Sequence, residues 1–162
     1  MQILSPLWLL LPILPIALWV AWSDMKFMKI PNKAVMAMAG VWVACGWLTV
    51  SWTAWAWGFA IMAIVLAIGF VMSYFRMLGA GDAKFAAAIS PFFVGADYRL
   101  VMGIVASCLL VAFFVHRILR RMPAVRNATP DWISWTHSQF PGGLALAGII
   151  IIYHLAAFWP QG

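Results

Sequence analysis

The sequence predicts an all-α, polytopic membrane protein with about six transmembrane helices and both termini on the outer, periplasmic side. The chain has 162 residues, of which 66% are hydrophobic and 9% are charged. Soluble domains contain roughly 45–50% apolar and about 25% charged residues, so this composition excludes a soluble fold. Residues 1–162 are expected to form a single integral-membrane domain.

Six apolar stretches define the expected spans. They cover residues 4–22, 34–50, 58–75, 85–94, 100–115 and 144–159. Five of them approach the roughly 20 residues that a helix needs to cross a bilayer. The fourth is shorter, since residues 83–95 would form roughly 20 Å of helix against a hydrocarbon core of roughly 30 Å. Its start is therefore expected on the order of 10 Å inside the cytoplasmic boundary.

Basic residues predict the orientation of these spans. Loops rich in Lys and Arg stay on the cytoplasmic side, so the termini face outward and only Arg99 lies outside. Because the net charge of +6 reflects this topology, no nucleic-acid partner is expected. Nine of the ten basic residues lie in the loops after spans one, three and five: Lys26, Lys29, Lys33, Arg76, Lys84, Arg117, Arg120, Arg121 and Arg126.

The acidic residues restrict the chemistry that the chain can perform. It contains no glutamate, and its side-chain carboxylates are Asp24, Asp82, Asp97 and Asp131. A membrane zinc protease of the H-E-x-x-H type is thereby excluded, because it needs the glutamate of that motif.

Cysteine and histidine residues give no sign of a metal site. Cys45 and Cys108 each lie inside an apolar run, which excludes a disulfide framework and a four-thiolate zinc site. His116, His137 and His154 lack the spacing of metal ligands. No metal and no other cofactor is expected.

The predicted topology separates the four carboxylates. Asp97 lies on the outer side, and Asp131 follows Pro130 in a polar loop, where aspartate is commonly a turn former or a helix cap. Asp24 ends the first span, and Asp82 opens the short fourth one. Ionisable groups at membrane depth are rare and usually functional, so these two are the candidate pair.

Structural interpretations of both residues stay open at this point. Asp82 could pair with Lys84 and cap the start of its helix, and Asp24 could balance Lys26 or Lys29 at the interface. If the two carboxyl groups meet, they can share a proton and activate water, as in aspartic proteases. The helix dipoles predict a lowered pKa for Asp82 as the resting base, and a raised pKa for Asp24 as the resting acid.

Three motifs in this order resemble those of the type IV prepilin and preflagellin peptidases, which are membrane aspartic proteases with a G-x-G-D motif. Asp24 is followed by Ile30-Pro31-Asn32, and residues 79–84 read Gly-Ala-Gly-Asp-Ala-Lys. A turn at Pro141-Gly142-Gly143 opens the last span, with glycine where the family more often has an aromatic residue. The chain is similar to the short, peptidase-only members that serve Flp-type, tight-adherence pili.

The resemblance implies a leader peptidase in the cytoplasmic (inner) membrane of a bacterium, with its active site near the cytoplasmic face. Its substrate would be a prepilin with a short basic leader and an apolar helix, and its other partners would be membrane lipids and pilus-assembly proteins. Asp24 and Asp82 would be catalytic. The supporting or substrate-contacting residues would be Gly79, Gly81, Lys84, Pro31, Asn32, Gly142 and Gly143.

Two other functions compete with this one. Paired carboxylates in a membrane also form proton or ion pathways, which would make the chain a small ion-coupled transporter. The second alternative is a non-catalytic assembly factor of a pilus or secretion complex.

Overall fold

The computed structural model of the chain describes residues 7–137 and 139–156, and all regular secondary structure within them is helical. Short 3-10 segments cover Leu7–Leu9, Gly46–Leu48, Ser90–Phe93 and Ile133–Trp135. The α-helices are α1 (Leu10–Phe27), α2 (Asn32–Cys45), α3 (Trp52–Tyr74), α4 (Ala80–Ile89), α5 (Tyr98–Arg121), α6 (Pro123–Ala128) and α7 (Gly142–Leu155).

The all-α prediction is confirmed, and each described part of the six apolar stretches contains an α-helix. In the described part of the chain, three helical segments are long and apolar enough to cross a membrane: Leu7–Phe27, Trp52–Tyr74 and Tyr98–Arg121. Gly142–Leu155 is a shorter apolar helix. The count of six spans and the orientation of the termini therefore stay predictions. Residues 4–6 and 157–159 of the first and last predicted spans, and both termini, lie outside the described residues.

Helix α4 lies at the centre of the bundle and packs against α2, α3 and α7. Helix α7 also packs against α1 and α5. The main core contains Met38 and Trp42 from α2, Phe85 from α4 and Ile150 from α7, together with one face of α1. By contrast, α3 and α5 expose most of their apolar side chains, as expected of helices that face lipid.

The indole of Trp42 shows how closely these helices approach one another. Its side chain is 1% exposed. A Cβ atom added at Gly46 would lie 2.7 Å from this ring, and one added at Gly58 would lie 2.6 Å from it. The ring therefore fits only because both positions are glycine, which allows α2 and α3 to pack together at this end of the bundle.

Helix ends meet at the opposite end of α2 and α3. The last turn of α1, the residues that follow α3, and the first turns of α2, α4 and α7 line one cavity. Each of the three motifs found in the sequence lies at one of these ends.

Candidate active site

Asp24 lies one turn before the end of α1 and is only 5% exposed. The helix ends because Met28 adopts a left-handed conformation with φ 51°, in which its N–H donates to the carbonyl oxygen of Asp24 at 2.8 Å. The buried hydroxyl of Ser23 donates to the carbonyl oxygen of Lys29 at 2.8 Å and holds the turn that follows. Pro31 then adopts an extended conformation and caps the start of α2.

Asp82 lies in the first turn of α4, after Gly79, which caps the helix in an extended conformation. Its side chain turns back toward that cap, since a Cβ atom added at Gly79 would lie 2.7 Å from Oδ2 of Asp82. Oδ1 of Asp82 is buried and has no hydrogen-bond partner among the described residues.

The start of α7 brings the two acidic residues together. The backbone N–H of Gly143 donates to Oδ2 of Asp24 at 2.7 Å. A Cβ atom added at Gly142 would lie 2.8 Å from Cγ of Asp82, and one added at Gly143 would lie 2.9 Å from Cβ of Asp24. Two consecutive glycines therefore touch one carboxyl group each.

The two carboxyl groups open into a cavity of about 660 Å³. Seven of the nine residues predicted for the site line this cavity, and Gly143 touches the carboxyl group of Asp24. The ninth, Pro31, caps the start of α2 next to Asn32. The predicted residues that line the cavity are Asp24, Asn32, Gly79, Gly81, Asp82, Lys84 and Gly142.

The cavity wall also contains residues that the sequence did not mark as part of a site. Lys29, Arg76, Met77, Leu109, Gln139 and Phe140 line it as well. Lys29 and Arg76 have a signal in the sequence, because both are basic residues close to a motif. Leu109 lies halfway along α5 and belongs to no motif, so only the packing of α5 reveals its place.

The ion pairs that would have made the two aspartates structural residues are not formed within the described part of the chain. Nζ of Lys84 lies 3.4 Å from Oδ1 of Asn32, which joins α4 to the start of α2. Nζ of Lys26 pairs instead with Asp131, at 2.8 Å. Asp131 is thus an ion-pair partner and not a helix cap, and Lys26 holds its pKa below the ordinary value.

The pKa of Asp82, which lies outside the three long spanning helices, is raised from 3.8 to about 6. Burial is the main cause, and the negative charge of Asp24 adds to it. The lowered pKa predicted from the helix dipole is therefore wrong, because burial outweighs the dipole.

A protein-family comparison assigns this arrangement to a known group of enzymes. The model of the type IV leader peptidase family matches residues 9–116, about two thirds of the chain. The chain belongs to the type IV leader peptidase family. This leader peptidase is thus a hydrolase of the membrane, as its apolar helices also indicate. Comparison with curated proteins and with solved structures gave no match.

The family match ends at residue 116, before the turn at Gly142 and Gly143. This leader peptidase nevertheless uses that turn to hold both carboxyl groups, across 119 residues in the case of Asp24 and Gly143. The sequence marks these glycines as supporting or substrate-contacting residues. The structure places them against the two aspartates.

Proposed function

We propose that the chain is an aspartic endopeptidase of the bacterial inner membrane that removes the short basic leader from Flp-type prepilins at the cytoplasmic face. Asp24 and Asp82 are its catalytic pair. The observation that carries this proposal is the contact of Gly142 with Asp82 and of Gly143 with Asp24, in one cavity at the helix ends.

The chemistry follows from two carboxyl groups that share one proton. The ionised group takes a proton from water as the water oxygen attacks the carbonyl carbon of the peptide bond, and the protonated group donates its proton to the carbonyl oxygen. Transfer of a proton to the amide nitrogen then breaks the carbon–nitrogen bond. The raised pKa of Asp82 favours the singly protonated pair that this reaction needs.

The cavity has a suitable form for an extended peptide. A peptide bond in a helix must leave the helix before it can be cut, so the enzyme needs room for bare backbone. Gly79, Gly81 and Gly142 provide a wall without side chains beside the carboxyl groups. Gly81 additionally allows close approach of Ile30, whose Cβ would lie 3.3 Å from an added Cβ atom.

A separate apolar groove of about 360 Å³ lies between α5 and α7. Leu144, one of its lining residues, directly follows the two glycines that touch the carboxyl groups, and the groove is otherwise lined mainly by small and aliphatic residues including Ala112 and Gly148. Small residues let two helices pack closely in a membrane. We assign this groove to the apolar helix of the prepilin, which enters the membrane next to the scissile bond.

Co-expression of a Flp-type prepilin with the peptidase tests the proposal. Leader removal, followed by gel mobility and by mass spectrometry of the new N-terminus, should fall by at least about 100-fold in Asp24→Asn and in Asp82→Asn, since each removes one proton-transfer group. Asp131→Asn and Asp97→Asn are matched controls outside the cavity and should process the prepilin normally. Processing that survives in both site variants would remove the aspartic mechanism.

The same proteins distinguish the competing functions. A transporter would carry protons or ions across the membrane of reconstituted vesicles, and this flux would depend on Asp24 and Asp82. An assembly factor would leave the prepilin uncut and still support pilus formation in both variants. If the chain is the proposed peptidase, we expect neither this ion flux nor pilus formation from uncut prepilin.

A further inference from the structure

A second cavity lies beside the C-terminal end of α5, away from the two aspartates. It has a volume of about 440 Å³. Its wall combines guanidinium, amide, hydroxyl and indole groups from Arg121, Arg126, Asn127, Trp132, Trp135 and Thr136. None of these residues lines the cavity that holds Asp24 and Asp82.

The charge of this cavity is uncompensated. Among the described residues, Arg121 and Arg126 form no ion pair, and the nearby acidic residue Asp131 is already bound to Lys26. Two guanidinium groups present paired N–H donors that match the oxygens of a phosphate group. Both side chains are exposed, so the cavity presents its positive charge to an anion from outside the protein.

The position of the cavity relative to the membrane identifies the source of that anion. Arg121 is the last residue of the spanning helix Tyr98–Arg121, so the cavity lies where hydrocarbon gives way to headgroups. Leu110, Phe114 and Ile118 are each more than half exposed and follow one another at four-residue intervals on α5. They form an apolar stripe that leads along the helix to the cavity and provides a surface for acyl chains.

Stacked aromatic rings form one side of the cavity. The rings of Trp132 and Trp135 lie 5.6 Å apart at 10°, and Trp135 also stacks on the buried His116 at 5.5 Å and 14°. The indole nitrogen of Trp135 donates to the carbonyl oxygen of Thr129 at 3.1 Å. This wall is fixed by its own contacts, and tryptophan prefers the headgroup level of a bilayer.

We propose that this cavity binds the phosphate headgroup of an anionic phospholipid, with Arg121 and Arg126 as its ligands. The acyl chains lie along the stripe of Leu110, Phe114 and Ile118. Binding at this site is independent of peptide hydrolysis, because no residue of the cavity belongs to the proposed catalytic pair.

Native mass spectrometry of the full chain in a neutral detergent tests this proposal. The probes are dioleoyl phosphatidylglycerol, dioleoyl phosphatidylcholine with the same acyl chains, and inorganic phosphate. Wild-type protein should retain phosphatidylglycerol in preference to phosphatidylcholine. In the double variant Arg121→Gln/Arg126→Gln, affinity for phosphatidylglycerol should fall roughly 30-fold, which is the effect of two basic side chains at a membrane surface.

Arg99→Gln is the matched control, because Arg99 is an exposed arginine at the other end of the same helix. It should bind phosphatidylglycerol as the wild type does. Arg121→Lys/Arg126→Lys keeps the charge and should bind more tightly than the glutamine variant, which separates loss of a ligand from loss of folding. Equal retention of the two lipids by the wild type would overturn the proposal. So would unchanged affinity in the glutamine variant, or inorganic phosphate displacing the bound phosphatidylglycerol.

Discussion

At the residue scale, the surroundings of the two aspartates contain glycine where most buried carboxylates have polar side chains. Cβ atoms added at Gly79, Gly142 and Gly143 would each lie less than 3 Å from an atom of Asp82 or Asp24. The carboxyl groups therefore fit because these three positions are glycine and carry no side chain. The same arrangement leaves the backbone of a substrate free to approach them.

We expect Gly143→Ala and Gly142→Ala to lower the rate of prepilin cleavage by roughly 100-fold, because an added methyl group must displace a carboxyl group and about 1 Å of displacement has such an effect. The thermal unfolding midpoint should fall by several degrees as well, because overpacking a buried site typically costs about 1–3 kcal/mol, so cleavage is compared well below that midpoint. Gly40→Ala and Gly103→Ala are matched controls, because nothing lies within 4 Å of an added Cβ atom there. Normal cleavage by Gly142→Ala and Gly143→Ala would contradict the assigned contacts.

The raised pKa of Asp82 predicts a titration that infrared spectroscopy can follow. The carbonyl stretch of protonated Asp82, identified by its loss in Asp82→Asn, should disappear with a midpoint near pH 6 as pH rises. In Asp24→Asn the midpoint should fall, because the negative charge that opposes ionisation of Asp82 is gone, but should stay above 3.8 because burial remains. Asp131→Asn should leave the midpoint unchanged, whereas an unchanged midpoint in Asp24→Asn would mean that the carboxyl groups do not interact.

Much of this site could be predicted from the residues themselves. A chain with four carboxylates in 162 residues leaves few pairs to consider, and topology selects Asp24 and Asp82. The contact between Asp24 and Gly143 spans 119 residues and depends on how α1 packs against α7, which no local pattern encodes. The pKa of Asp82 was predicted with the wrong sign, since the helix dipole is visible in the sequence and the extent of burial is not.

At the element scale, the position of α4 decides where Asp82 lies. The close packing of α3 on α4 depends on Gly69, where an added Cβ atom would lie 2.7 Å from Cβ of Ala83 and 3.2 Å from its Cα. The bond between Lys84 and Asn32 links α4 to α2. Helix α4 is therefore held on two sides directly beside its acidic residue.

Gly69→Ala should push α4 away from α3 and lower the rate of prepilin cleavage by at least about tenfold, because the backbone of Ala83 follows Asp82 directly and sub-ångström placement matters for catalysis. The double variant Gly69→Ala/Ala83→Gly removes the colliding methyl group and should recover most of the activity. Cleavage assays of both variants, with Gly103→Ala as the control, measure this effect. A double variant no better than Gly69→Ala alone would show that this packing does not position Asp82.

At the scale of the whole molecule, helix lengths indicate how far along the spanning helix α5 the cavity of Asp24 and Asp82 extends. Helix α4 with the 3-10 segment Ser90–Phe93 rises roughly 23 Å, whereas the 24 residues of α5 rise roughly 36 Å. Leu109, in the middle of α5, lines the cavity with Asp24 and Asp82. The cavity thus reaches the level of the middle of this helix, and the depth of Asp82 that the short fourth stretch predicts stays a prediction.

The proposed orientation predicts the side of the membrane from which each end of α5 can be reached. In a Cys45→Ser/Cys108→Ser background, Arg99→Cys should react with a membrane-impermeant maleimide in intact spheroplasts. Asn127→Cys should react only after the membrane is opened, because nine of the ten basic residues are expected on the cytoplasmic side. Both positions are exposed, so access to the thiol depends on the membrane and not on burial. The reverse pattern would place the cavity of Asp24 and Asp82 on the outer side, out of reach of a leader that stays in the cytoplasm.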